Sequence, residues 1–329
     1  MKNSLSFLGM LMGRNMGDLC ASTPWIAPKY RIDGATTYNW RDLIDLKKPW
    51  LLDRPLECYY KILEKEIERA LEQCAPYTVL RLNDGEAYFL QGKLHGNVIR
   101  RHLTNPKNYN PSEWRERLWR NNRLTFHISP RMRRLWTPVI GKDVMRSFFP
   151  MHAVYALVAT RRLFQVCGTA KVGFVGAHEK LLLIEELLSY GRYREYLGIR
   201  GNCGFYAVPQ TGACNEPREL TADLLTRMRT DPSDVYLVGM GIAKIYALPE
   251  LCEELGGVFL DVGHGLDAIA GIVPKDKQFF GSWTNFKVSP DSYRDVEMLG
   301  QKLSTARIER FGVQPDVLLH EEEDNSASL

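Results

Sequence analysis

Apolar residues at Tyr59, Ile62, Leu63, Ile67, Ala70 and Leu71 recur at three- and four-residue spacing. That spacing predicts an amphipathic helix from about Pro55 to Cys74, with Pro55 suited to its first turn. A short apolar run, Thr78 to Asn83, follows and breaks at Asn83-Asp84-Gly85, which reads as a strand entering a tight turn. Asn110, Pro111 and Glu113 form a helix start for a segment reaching Arg123. A further helix is expected from Met151 to Val166. From there strands at Lys171–Val175, Phe205–Val208, Asp234–Val238 and Val258–Val262 alternate with helices at His178–Tyr190, Leu220–Arg229 and Ile242–Leu255. Alternation at this spacing predicts an α/β fold built on a mostly parallel sheet with helices on both faces. Residues 1–54, rich in Gly, Pro, Trp and polar side chains, show no sustained period and read as an N-terminal arm or cap. The acidic end, residues 316–329, is expected to be disordered.

Composition narrows the class without naming a chemistry. The chain has 329 residues, 45% hydrophobic and 25% charged, which excludes a fibrous or wholly disordered protein and allows one large domain or two modest ones. No apolar run approaches the 18 residues of a spanning helix. Seven scattered cysteines, without a C-x-x-C pair, argue against a disulfide framework or zinc site and predict reduced thiols in a cytoplasmic protein. Charge is uneven. Between His95 and Arg146 stand 12 Lys and Arg against 3 acids, a net +9 that leaves −5 for the remainder of a +4 chain. This stretch, read as a basic helical insert at about 95–150, calls either for an anionic partner or for a solvated basic face.

Open parallel sheets bind ligands beyond the carboxyl ends of their strands, and three such ends carry chemistry here. At the first, Asp84 and Glu86 lie one residue apart on a turn, where two carboxylates can share a divalent cation that holds a diphosphate; the same residues also suit an ordinary turn. The second, Gly239-Met240-Gly241-Ile242-Ala243-Lys244, offers backbone N–H groups and a lysine to a phosphate. With Asp261 it partly matches a dinucleotide fingerprint, although Lys244 stands where close helix packing favours glycine. The third gathers Asp261, His264 and Asp267 within seven residues, a group able to supply a general base or to orient a sugar. A fourth junction, Gly176 to Lys180, is read as structural.

Together these ends resemble the GT-D-fold glycosyltransferases, a family first described as a domain of unknown function and marked by a D-x-E motif. The resemblance rests on Arg81, Asp84, Gly85 and Glu86, on Gly239, Ala243 and Lys244, and on Asp261, Gly263 and His264, and it spans about residues 55–275. It implies a Rossmann-like domain at 55–315 that binds a nucleotide sugar, a UDP-sugar above all, with Mn²⁺ or Mg²⁺. It further implies that Asp84 and Glu86 are the metal residues. Arg81, Gly85, Gly239, Gly241, Lys244, Asp261 and Gly263 would line the donor pocket. The acid that the family carries two residues past the histidine is displaced here to Asp267, so Asp267 and His264 are the candidates for the catalytic base. The expected acceptor is a hydroxyl of a glycan or lipid-linked glycan, with peripheral membrane contact open and nucleic acid less favoured. Two other readings compete. One is an NAD-dependent oxidoreductase on Gly239, Gly241 and Asp261. The other is a polyanion binder on Arg115 to Arg134, stacking bases on Trp114, Trp119 and Trp136.

Overall fold

The computed structural model describes residues 30–32, 36–38 and 56–271, apart from 95–96, 121–123, 129–131, 141–151, 160 and 190. The acidic tail, and all but a short hairpin of the N-terminal arm, lie outside the described residues. In chain order the elements begin with a hairpin, β1 (Tyr30–Ile32) and β2 (Thr36–Tyr38), and α1 (Leu56–Glu72). They continue through β3 (Tyr77–Leu82), α2 (Asp84–Leu90), α3 (Asn97–His102), α4 (Pro111–Arg120) and β4 (Leu124–Ile128). Next come α5 (Arg133–Ile140), α6 (His152–Ala159), α7 (Arg162–Cys167), β5 (Val172–Ala177), α8 (His178–Ser189) and α9 (Gly191–Leu197). The described chain closes with β6 (Cys203–Val208), α10 (Pro217–Thr230), β7 (Val235–Gly239), α11 (Lys244–Leu255), β8 (Val258–Asp261) and α12 (His264–Ile269).

Six strands form one all-parallel sheet in the order β4-β3-β8-β7-β5-β6. This is the α/β, Rossmann-like architecture that the alternation predicts. Its central strands are buried along their length, as a sheet covered by helices requires. The apolar stripe of α1 packs inward through Tyr59, Leu63, Ile67 and Ala70. A forked ion pair from Arg162 on α7 to both oxygens of Glu64 fixes α1 against its neighbour.

Two expectations are corrected. The single helix expected from Met151 to Val166 is two, α6 and α7, separated at Arg161, whose backbone lies in the left-handed region at φ +61° and cannot continue an α-helix. The segment at 95–150 is more than a helical insert, because Leu124 to Ile128 forms edge strand β4, paired in register with β3 so that His127 lies opposite Arg81. Burial decides this: Trp114, Leu118, Ile128 and Trp136 of the basic segment belong to the core. Among the described residues no helix is long and apolar enough to cross a membrane.

Burial of His127 has a measurable consequence. Its ring is fully enclosed, and burial followed by the adjacent Arg81 guanidinium pushes its pKa down to about 3. The unfolded chain takes up a proton at this histidine below about pH 6.5, whereas the folded chain resists down to about 3, so its contribution to stability is complete above pH 6.5 and drains as the medium acidifies. Denaturant melts at falling pH should lose about 1.4 kcal/mol per pH unit from this residue. His127→Leu should flatten the curve between pH 6.5 and 4, where most carboxylates are still ionised. An unchanged slope would remove His127 from the account.

Candidate functional site

Each of the three loaded strand ends reaches the same place through its own local geometry. Beyond β3 the chain turns at Asn83 into α2, and Glu86, at the third helical position, accepts the Asn83 backbone N–H at 3.2 Å through Oε2. Trp136 of α5, wholly buried, donates its indole N–H to the Asn83 carbonyl at 3.0 Å and holds that turn from behind. Beyond β7 a short 3₁₀ turn at Gly241–Ala243 delivers Lys244 at the start of α11. Beyond β8 the chain bends at Gly263 into α12.

Lys244 joins the three. Its Nζ lies 2.8 Å from Glu86 Oε1 and 2.6 Å from Asp261 Oδ2, and Asp261 also accepts the backbone N–H of Arg81 at 3.0 Å. Burial favours the neutral lysine, but the two carboxylates overcome it and raise the Lys244 pKa above its ordinary value. Glu86 mirrors this, since burial would protonate it yet Lys244 holds it below the usual carboxylate range. A second pair lies beside the first. Asp267, 1% exposed, is 2.8 Å from Lys180 Nζ and 2.9 Å from His264 Nδ1. Burial pushes the Asp267 pKa up, but Lys180 and His264 together bring it to about 2, so at neutral pH it is an ionised carboxylate and only accepts hydrogen bonds. His264 Nδ1 must therefore carry the proton that the contact needs, which sets the lone pair of the neutral ring at Nε2. The His264 side chain is 37% exposed, the most accessible of the group.

Arg81 forms the floor. It is 6% exposed, its guanidinium lies 3.9 Å from the centre of the Tyr155 ring, and its Nε and Nη1 have no hydrogen-bond partner among the described residues. Leaving buried donors unmade costs roughly 1–3 kcal/mol each, an expense that a bound anion would remove. Gly263 packs directly against the Arg81 guanidinium. A Cβ there would lie 2.4 Å from Arg81 Nη1, and the residue has φ +46°, so both space and backbone call for glycine.

The structure thus brings Arg81, Glu86, Lys244, Asp261, Gly263, His264 and Asp267 together and separates their roles. Asp261 and Lys244 are buried and satisfied by each other, which makes them positioning groups. The sequence expects both to line the donor pocket, and here each is buried and held by protein groups. Asp267 is buried and holds the His264 ring, whose side chain is the more exposed of the two. Asp84 is exposed, with Oδ1 accepting the Gly85 N–H at 2.9 Å, whereas both oxygens of Glu86 are engaged by protein groups. Among the described residues no three His, Cys, Asp or Glu side chains gather as a metal cage. Gly85 has open space around its Cα.

Gly239 serves packing. The chain leaves β5 toward β6 but leaves β7 toward β8, so the crevice between β5 and β7 is where connections diverge. The buried side chain of Leu266 from α12 fills it, so that a Cβ on Gly239 would come 2.7 Å, and one on Gly176 2.4 Å, from Leu266 Cδ2. This is unfavourable to a dinucleotide at that crevice, and the engagement of Asp261 removes the acid that a ribose would need. The stacking surface on the basic segment also contracts. Trp114 and Trp136 are core residues, Trp119 alone is exposed, and Arg117 is paired with Glu250 and stacked on Tyr246.

Two site residues escaped the sequence reading. Lys180 comes from the junction read as structural, and its helical-start position next to a strand end was the available signal. His102, at the end of α3, packs its ring on Gly241: a Cβ there would lie 2.2 Å from His102 Nε2, and Gly241 has φ +57°. Nothing in the local sequence around His102 marks it. No protein-family model, curated protein or solved structure matches the chain.

Proposed function

We propose that the protein is a glycosyltransferase that moves a sugar from a nucleotide-sugar donor, a UDP-sugar above all, to an acceptor hydroxyl in polysaccharide or glycoconjugate synthesis. The observation that carries this reading is the meeting of the three motifs on Lys244, beside the buried guanidinium of Arg81, whose Nε and Nη1 lack hydrogen-bond partners among the described residues and which packs against the Cβ-free backbone of Gly263. A buried cation with unmade hydrogen bonds, packed against a glycine at the carboxyl edge of a parallel sheet, suits the diphosphate of such a donor.

In the transfer the acceptor oxygen bonds to the anomeric carbon as the bond from that carbon to the diphosphate oxygen breaks, and the nucleoside diphosphate leaves with the electron pair. His264 Nε2 takes the acceptor proton while Asp267 holds the ring and stabilises the imidazolium. Arg81 meets the charge that grows on the leaving oxygen. Lys244, Glu86 and Asp261 keep the β3 and β7 ends in register without touching the reacting atoms.

For Mn²⁺ or Mg²⁺ the residues fit one arrangement. Asp84, exposed at the turn, would hold the ion, with diphosphate oxygens and water supplying the rest, a coordination these ions accept from one or two carboxylates. Bound there, the ion would draw charge from the diphosphate. Glu86 stays with Lys244.

A thermal-shift series tests the reading. UDP and UDP-glucose with Mn²⁺ should raise the melting temperature, since ligand at 100 times its Kd adds about 2.7 kcal/mol. Asp84→Asn should remove the dependence on Mn²⁺, and Gly263→Ala, which drives a methyl group into Arg81, should remove the shift altogether. Stabilisation by NAD(H) or DNA, with none from UDP compounds, would overturn it.

A further inference from the structure

At Gly241, three residues before Lys244 in the chain, the His102 ring rests so close that a Cβ there would lie 2.2 Å from its Nε2. The segment that carries it is held by five hydrogen bonds to the loop at 212–215. Gly212 N–H donates to the Arg101 carbonyl and Cys214 N–H to the His102 carbonyl, each at 2.8 Å. Asn215 Oδ1 accepts from the Thr104 and Asn105 N–H groups at 2.9 and 3.0 Å, and Asn215 Nδ2 donates to Thr104 Oγ1 at 2.7 Å. Such clamping of an irregular segment fixes the position of one side chain closely, as ligand-contacting groups require. The ring lies in the electrostatic field of Glu86, Lys180 and Lys244, the groups of the site itself, and its Nδ1 is buried without a hydrogen-bond partner among the described residues. Burial, and then Arg101, push its pKa down to about 4, so the ring is neutral under ordinary conditions and presents one donor and one acceptor.

That chemistry separates two parts of a donor molecule. Phosphate calls for cations, and Arg81 supplies one at Gly263. A neutral imidazole matches a hydroxyl, which likewise both donates and accepts. We propose that His102 is a specificity-determining residue that hydrogen-bonds a hydroxyl of the donor's sugar, while the diphosphate lies on the Arg81 side. This rests on the glycosyltransferase reading and adds to it the place and partner of the sugar.

Calorimetric titration with UDP and with UDP-glucose, Mn²⁺ present throughout, on the full chain and on His102→Phe and His102→Gln, tests it. His102→Phe should weaken UDP-glucose about tenfold, the factor that one hydrogen bond near 1.4 kcal/mol represents, and leave UDP unchanged. His102→Gln, which keeps a donor and an acceptor, should recover part of that loss. An equal loss for both ligands, or no loss for either, would overturn the assignment while leaving the glycosyltransferase reading standing. Failure of the unaltered chain to bind UDP or UDP-glucose would instead sink that reading, and the assignment with it.

Discussion

His264→Gln is expected to lower the transfer rate by about 10²–10⁴-fold, the range that a positioned general base contributes, while UDP binding stays near that of the unaltered chain. The reason is the division of labour between His264 and Asp267. Asp267 is enclosed and ionised, and it holds His264 Nδ1 at 2.9 Å, an orientation in which Nε2 would receive the acceptor proton of the proposed transfer. Glutamine keeps polarity and approximate length but cannot take that proton. Single-turnover kinetics, with donor binding measured separately, distinguishes this from a general loss of structure, since a fall in rate without a fall in affinity marks an interaction made only in the transition state. Asp267→Asn should slow transfer as well, and it should also lower the melting temperature, because Lys180 at 2.8 Å then loses its buried counter-charge. A His264→Gln enzyme that turns over as before would dismiss this histidine as the base.

Lys244→Met should be the most destabilising single change in the site. Lys244 is 4% exposed and neutralises two buried carboxylates on different elements, Glu86 of α2 and Asp261 of β8. Removing one partner of a buried ion pair costs about 3–5 kcal/mol, since the charges left behind are desolvated without compensation. For a domain of this size that corresponds to a fall in melting temperature on the order of 10 °C. The double change Lys244→Met, Glu86→Gln removes one charge of each sign, keeps Asp261 beside the buried Arg81, and should regain part of the loss, because a neutral amide is far cheaper to bury than a stranded carboxylate. A Lys244→Met chain that melts with the unaltered protein would show that the cluster is not a structural joint.

Much of the fold was legible in the chain because alternation of strands and helices leaves a signature in apolar spacing. From β5 to β8 each predicted strand has its counterpart in the sheet. β4 was hidden. Its five residues, Leu124 to Ile128, sit among arginines, and a short run without clear flanks has no period long enough to read. Its assignment depends on pairing with β3, a contact between residues distant in sequence. Likewise, Arg161 has no special chemistry in the sequence, yet its left-handed backbone divides one expected helix into two.

The candidate site divides along the same line. Sequence by itself determined which residue types stand at the strand ends, because the turn after a strand needs glycines and polar groups whatever the final packing. It therefore supplied Arg81, Glu86, Lys244, Asp261, His264 and Asp267. Only the tertiary structure decided what each of them faces. It buried Asp261 against Lys244, put Asp267 beneath His264, filled the space at Gly239 with Leu266, and brought Lys180 and His102 to the same centre. The physical reason is that a charged group's role follows from its burial and its nearest opposite charge. Both are set by contacts between elements far apart in the chain, which local spacing does not encode.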